Sequence, residues 1–413
     1  MARNFVSLLE ASADRWPDTP ALVWPDGALT FAGLHRRAQA LAAALATKGV
    51  KPGDRIAVAI PNRWQFAVAV LAGWKLGATI APLDPLLKSD ERAEILADLA
   101  PAMLVDEATV TPVGGLPLAH AYGLNGALLA PLLAGASVAL VERFTPEAAL
   151  EAIRRHRVTV FPGVATMFRR VLDGPSLTRA DLSSLRLAVS GAAPCPWDLA
   201  QEWRERTGIR ILRGYGMSEL FRPISYLAAD MTESPAAIGH AVPGVEVRVV
   251  DDSGRPLPNG EVGELWIKSP AAMQGYVNSP EESREVLTED GWFRTGDLAL
   301  VSDDGLVEIV GRKRERILRG GYSVFPAEVE ALLLTHPAVA EAAVVGLPHP
   351  ELGEEVAAFV ALRPSAGATA DELIAYCRER LAGFKYPRQV TVLPALPRSA
   401  AGKILKSSLR RPR

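Results

Sequence analysis

An α/β fold is what this chain predicts: a large N-terminal domain of helix-covered β-sheets with a β subdomain, then a small mobile α+β C-terminal domain. Three observations carry that reading. Up to about Gly239, short apolar runs alternate with stretches of helical periodicity, the pattern of parallel sheets covered by helices. From there, Asp-Gly and Asn-Gly turns separate alternating runs, which marks antiparallel hairpins. After Gly311, helices and strands mix in a block of about 100 residues, enough to fold alone.

Taken in order, residues 31–45 read as a helix with Thr30 as its N-cap. Residues 55–60 read as a strand, 64–76 as a helix and 79–82 as a strand. Residues 123–141 carry no charge and are long enough for a membrane span. Asn125, Pro131 and Gly135 interrupt them, however, and residues 136–141 resemble a buried strand. A helix, a glycine turn and a strand inside a packed core are therefore predicted, with no integral membrane segment. Helices at 146–156 and 164–172 and strands at 158–161 and 185–190 follow.

The β subdomain, about 239–311, has runs at 245–250 and 262–268 around turns at 251–254 and at Asn259 and Gly260. A second pair, 298–301 and 306–310, closes on Asp303, Asp304 and Gly305. The last block has a helix at 327–334 and strands at 338–345 and 356–362. A helix opening on the capping box of Thr369 and Glu372 runs to Leu381, before a strand at 390–392. The boundary falls in the charge run Arg312, Lys313, Arg314, Glu315, Arg316, giving domains 1–311 and 312–413.

At 413 residues the chain exceeds one ordinary core. A net charge of −2 lacks the basic excess of a nucleic-acid binder. Cys195 and Cys377 are too few and too far apart for a disulfide framework or a zinc site. Both read as buried small apolar residues, which fits a reducing, cytoplasmic location. The first seven residues have no long apolar core, so no secretory signal is expected.

Four blocks carry chemistry. In Gly214–Tyr215–Gly216–Met217–Ser218–Glu219, two glycines around an aromatic let a backbone pass close to a flat ligand. Ser218 and Glu219 add the oxygen donors Mg²⁺ favours, although Gly-Tyr-Gly alone is an ordinary turn. In Gly291–Trp292–Phe293–Arg294–Thr295–Gly296–Asp297, the Asp can accept two hydrogen bonds from a vicinal diol such as a ribose, or simply cap a turn. Beyond it, Arg312 can fork onto a phosphate or ribose oxygen, and Gly320–Gly321 allow close passage of a narrow ligand arm. In Pro397–Arg398–Ser399–Ala400–Ala401–Gly402–Lys403, a small-residue loop carries an ammonium that is either solvated or delivered to a site elsewhere.

In this order the blocks closely resemble the adenylate-forming superfamily of acyl-CoA synthetases, luciferases and peptide-synthetase adenylation domains, over nearly the whole chain. Ser190–Gly191–Ala192–Ala193–Pro194 is similar to that family's adenine-side loop, and Leu116–Pro117–Leu118–Ala119–His120 to its acyl-pocket entrance. The stretch 320–330 looks most like acyl-CoA ligases. The resemblance implies ATP, Mg²⁺, coenzyme A and a small-molecule carboxylic acid, a medium or long fatty acid or an aryl acid, as ligands. It places Gly191, Ala192, Ala193, Gly214, Tyr215, Gly216, Met217 and Ser218 around the nucleotide. Glu219 would hold Mg²⁺, Asp297 the ribose hydroxyls, and Arg312 the nucleotide. Lys403 would bridge the attacking carboxylate and the α-phosphate. The small domain would then rotate about Arg314–Glu315, bringing Gly320 and Gly321 to the pantetheine arm. The acid would sit among His120, Tyr122, Gly163, Val164, Ala193 and Gly216, with a packed interior histidine as the other reading of His120.

One departure stands out. The family carries a Thr-Ser-Gly-Thr-Thr-Gly-x-Pro-Lys loop, which grips the β- and γ-phosphates, between two segments that here abut at 109–117. The flanking strand and helix look missing too. Three readings stay open: a shortened ligase that keeps its chemistry, a non-adenylating binder of acyl-CoA, AMP or acyl-adenylate, and an ordinary ligase from whose sequence the segment was removed.

Overall fold

The computed structural model of the chain describes residues 5–85, 87–106, 118–174, 177, 182–230, 233–364, 366–398 and 404–409. Its contacts divide the chain into two compact units, Met1–Val242 with Ala271–Asn278, and Pro243–Pro270 with Ser279–Arg413. The abutment at 109–117 lies outside the described residues.

The first unit shows the alternation read from sequence. Strands β1 (Pro20–Trp24) and β2 (Gly27–Thr30) form a hairpin that the periodicity did not announce. Strands β3 (Arg55–Ala59), β4 (Thr79–Pro82) and β5 (Met103–Asp106) make a parallel sheet with β3 in the middle. The two-residue β6 (Val138–Ala139) joins β1 in parallel. Strands β7 (Val160–Gly163), β8 (Leu187–Ser190) and β9 (Ile211–Leu212) form a second parallel sheet in that order. A small antiparallel sheet follows, of β10 (Gly214–Tyr215), β11 (Ile224–Ser225) and β12 (His240–Ala241).

Helices cover these sheets for local reasons. Thr30 accepts a hydrogen bond from the Gly33 amide at 3.1 Å and starts the helix Phe31–Thr47. Phe31, Leu34, Ala38, Ala42 and Leu45 form its buried stripe, three or four residues apart. Helix Trp64–Lys75 is buried from Phe66 to Gly73, so it runs inside the core. The uncharged stretch resolves into a π-helix Tyr122–Leu129, a helical turn Ala130–Leu133, a left-handed Gly135 (φ 74°) and β6. Among the described residues no helix is long and apolar enough to cross a membrane.

In the second unit β13 (Glu246–Val250), β14 (Gly263–Lys268), β15 (Phe293–Val301) and β16 (Val307–Arg312) form the expected antiparallel meander. A short 3-10 turn, Lys313–Glu315, leads into a hairpin of β17 (Ile317–Arg319) and β18 (Tyr322–Val324). The long pair β19 (Val339–His349) and β20 (Gly353–Leu362) completes the sheet, with β21 (Gln389–Val392) parallel to β20. The capping box of Thr369 and Glu372 opens helix Ala370–Arg378, three residues shorter than the sequence suggests. Both cysteines are free; Cys377 is buried as expected, but Cys195 is only half-buried.

Candidate functional site

Parallel α/β sheets present ligand sites at the carboxyl ends of their strands. In the first unit those ends are Gly163 on β7, Ser190 on β8 and Leu212 on β9. The candidate segments at 163–164, 190–194 and 213–219 leave the sheet there.

After the buried Ser190, Gly191 donates its amide to the Gly163 carbonyl at 3.2 Å, and Ala192 turns the chain with a left-handed φ of 63°. A side chain at Gly191 would place its Cβ 3.0 Å from the Tyr122 ring. The Tyr122 hydroxyl donates to the Val189 carbonyl at 2.7 Å, and its amide donates to His120 Nδ1 at 3.2 Å. Burial pushes the Tyr122 phenol up to about 12, against the pull of the Arg222 charge. Ala193 lies exposed on the same loop.

Arg222 is a member the sequence did not single out. Its guanidinium donates to Ser190 O (2.9 Å), Leu212 O (3.2 Å) and Ser225 Oγ (3.1 Å), tying the ends of β8 and β9 together. The glycines of the 214–219 block serve this residue: Cβ atoms at Gly214 and Gly216 would fall 2.8 Å from Arg222 Cζ and 2.6 Å from its amide nitrogen. Within the fold, the close approach these glycines permit is that of Arg222, which the sequence reading did not name.

Beyond Tyr215 the backbones of Met217 and Leu220 exchange hydrogen bonds around a tight turn. Ser218 is exposed at its tip. Glu219 accepts from the Tyr276 hydroxyl at 3.1 Å, which fixes its carboxylate. Mg²⁺ takes one or two protein carboxylates and fills its shell with water and phosphate oxygens, so a single oriented Glu219 fits it. Among the described residues no group of three or more His, Cys, Asp or Glu could hold a metal.

His120 is exposed. Gly163 gives room to the Phe168 ring, 3.1 Å from where its Cβ would stand, and Val164 precedes helix Ala165–Asp173. A cavity of about 960 Å³ opens beside Tyr122, with Gly126, Phe161, Met167, Phe221 and Arg222 in its wall. Of the residues read as the acid pocket, Tyr122 is the one that lines it.

In the second unit, Asp297 on β15 faces Arg312 on β16 in the strand register. Arg312 Nε stands 2.9 Å from Asp297 Oδ1; the Asp side chain is 4% exposed and the Arg side chain 50%. Gly296 (φ 68°) permits the kink before Asp297, whose amide donates to Thr295 Oγ1 at 3.0 Å. Lys313 then reaches Glu264 (3.0 Å) and Asp252 (3.1 Å). Burial works against the Lys313 charge, but these two carboxylates prevail and hold its pKa above the ordinary value. Gly320 and Gly321, with φ of 55° and 85°, make the turn of the β17–β18 hairpin. Lys403 and Gly402 lie outside the described residues; the bridge Arg398–Ile404 joins the chain on either side of them.

The chain matches the AMP-binding enzyme family in two stretches, residues 9–114 and 109–277, and the AMP-binding enzyme C-terminal domain over residues 328–403. It is 35% identical over 464 aligned positions to feruloyl-CoA synthase from Amycolatopsis sp, covering 93% of this chain and 94% of that protein. It is 31% identical over 513 positions to a methyl-dioxo-octahydro-indenyl-propanoyl:CoA ligase from Mycobacterium tuberculosis, covering 99% and 98%. A 513-position match leaves at least 100 positions with no residue from a chain of 413. Among solved structures, o-succinylbenzoate CoA synthetase from Bacillus subtilis, in complex with its acyl-adenylate intermediate, superposes with a TM-score of 0.89 at 27% identity over 98% of each chain.

Proposed function

The chain belongs to the AMP-binding enzyme family, and we propose that it is an acid–thiol ligase that makes acyl-CoA thioesters. Of the two half-reactions, it is equipped for the second. Coenzyme A thiolate attacks the carbonyl of an acyl-adenylate, the acyl–phosphate bond breaks, and AMP leaves with the electron pair. The thiol proton goes to solvent.

The observation that supports this reading is that the family match comes in two stretches, 9–114 and 109–277, which meet where the sequence lacks the family's phosphate-gripping loop. Losing one oxyanion donor typically costs about 10²–10³ in rate, and losing a whole loop bears on ATP use far more than on AMP. The parts that read AMP remain. In this reading the 190–194 loop and Tyr215 flank the adenine, Asp297 takes the ribose hydroxyls, and Arg312 and Ser218 stand near phosphate. Glu219 holds Mg²⁺, which would neutralise phosphate charge when bound. Gly320 and Gly321 meet the pantetheine arm after the 312–413 domain rotates, and Lys403 is the residue of the adenylation step.

The apolar cavity beside Tyr122 favours a bulky fatty or aryl acid. Small-molecule acid and CoA are then its partners, in the cytoplasm. The second reading, a protein that binds acyl-CoA or AMP without turnover, rests on the same departure from the family sequence at 109–117.

A pair of assays separates these. Purified protein is given synthetic acyl-AMP and CoA across a panel of fatty and aryl acids, and in parallel ATP, Mg²⁺ and free acid with labelled pyrophosphate. Thioester from acyl-AMP with little pyrophosphate exchange is the expected result. Strong exchange would restore the full ligase, whereas calorimetric AMP or CoA binding with no thioester would leave a binding protein.

A further inference from the structure

Lys406 sits between two carboxylates from distant parts of the second unit. Its Nζ is 2.7 Å from Glu315 Oε2 and 2.8 Å from Glu330 Oε1. The two acidic oxygens therefore lie within about 5.5 Å of each other, with one ammonium between them. Glu315 belongs to the hinge turn Lys313–Glu315, Glu330 to helix Pro326–Leu334, and Lys406 to the C-terminal helix Lys406–Leu409.

The partners are fixed independently. Glu330 Oε1 also accepts from the Val344 amide at 2.7 Å, so it is pinned to β19. Leu409 is buried with Ala343, Val345, Ala361 and Leu396, which anchors the far end of the C-terminal helix. On the other side of the turn, Lys313 binds Glu264 and Asp252 of the β subdomain. The side chains of Lys406, Glu315 and Glu330 are 23%, 27% and 17% exposed, which limits solvent screening of the triad.

We propose that Lys406 is a positioning residue for ligase turnover: it holds the hinge turn through Glu315 and so sets the orientation from which the 312–413 segment works. Without it, Glu315 and Glu330 repel each other and the turn moves away from Glu330. A neutral replacement thus does more than delete a bond, because it leaves two like charges facing. Lysine at this place acts as charge, so arginine substitutes for it and methionine does not.

The test has two arms, and only the rate arm rests on the ligase reading. In the first, amide hydrogen exchange of the peptide 311–319 is compared in wild type, Lys406→Met, Lys406→Arg and the exchanged pair Glu315→Lys with Lys406→Glu. Lys406→Met should raise exchange in the turn about tenfold, Lys406→Arg should stay near wild type, and the exchanged pair should recover part of the protection. In the second, acyl-AMP and CoA turnover should fall about tenfold in kcat for Lys406→Met, with KM for CoA within about twofold and recovery in Lys406→Arg. Unchanged exchange in Lys406→Met, or equal loss in the Arg and Met variants, overturns the proposal. If no variant, wild type included, forms thioester, the ligase reading fails while the exchange arm still decides whether Lys406 holds the turn.

Discussion

Asp297 and Arg312 meet across β15 and β16, with the guanidinium Nε 2.9 Å from a carboxylate that is almost wholly buried. The pair joins a fixed acid to a cation whose outer half is in solvent. Such a cation can serve a ligand oxygen while the acid keeps its place. Asp297→Asn preserves the shape and removes the charge. Calorimetry should show AMP affinity falling about tenfold or more, while urea unfolding shifts by only about 1–2 kcal/mol. An unchanged AMP affinity would remove Asp297 from the nucleotide site.

Tyr122 supports the 190–194 loop from below through its ring, and supports β8 through its hydroxyl. Tyr122→Phe keeps the ring and leaves the Val189 carbonyl without that donor. The expected loss is about 1 kcal/mol in chemical unfolding, with thioester formation little changed. A large kinetic effect at equal stability would instead put the hydroxyl in contact with the acid.

Alkaline stability follows from the same residue. Burial raises the folded phenol to about 12 from an ordinary value of 10, so the folded chain holds its proton where the unfolded chain has lost it. That contribution is complete below pH 10 and is lost as pH climbs towards 12, by about 3 kcal/mol in all. Burial likewise pushes the Cys377 thiol up to about 11 from 9, adding a decline between pH 9 and 11. Unfolding free energies measured from pH 8 to 11 should fall for wild type, and less steeply for Tyr122→Phe and for Cys377→Ala. Parallel slopes in all three would show that neither group controls the decline.

What could be read from sequence was local. The Thr30 cap, the Thr369–Glu372 box and the turns at 251–254 and 303–305 each depend on neighbours within a few residues. The parallel sheets followed from the alternation of short apolar runs with helical stretches, although only β3 among the longer strands is buried nearly throughout while β7 and β8 are part-exposed on alternate residues. Arg222 escaped notice because its acceptors at Ser190 and Leu212 lie 32 and 10 residues away. Lys406 and Glu315 are separated by 91 residues, and nothing in the local pattern of either points to the other. The glycines show the same limit: the motif announced close approach at 214 and 216, but only the fold reveals that Arg222 makes it. Gly320 and Gly321, the two glycines read as passing a ligand arm, also make the β17–β18 hairpin turn.

Glycine substitutions can separate crowding from backbone strain. Gly296 has φ 68° with no atom within 4 Å of its would-be Cβ, so Gly296→Ala meets only the left-handed penalty of about 1–2 kcal/mol. Gly216 has an ordinary φ, but its Cβ would stand 2.6 Å from the Arg222 amide nitrogen, a backbone atom that cannot swing aside. Gly239 combines both faults, with φ 114° and Ser225 carbonyl carbon at 2.1 Å. Melting temperatures should therefore fall least for Gly296→Ala, further for Gly216→Ala and most for Gly239→Ala, where several kcal/mol are at stake and soluble yield should drop. Because Gly216 packs against the residue that ties β8 to β9, its variant should also lose AMP affinity even where it remains folded. Equal melting of the Gly216 and Gly296 variants would mean that the 220–224 segment gives way easily, and that Arg222 is held less firmly than its three hydrogen bonds indicate.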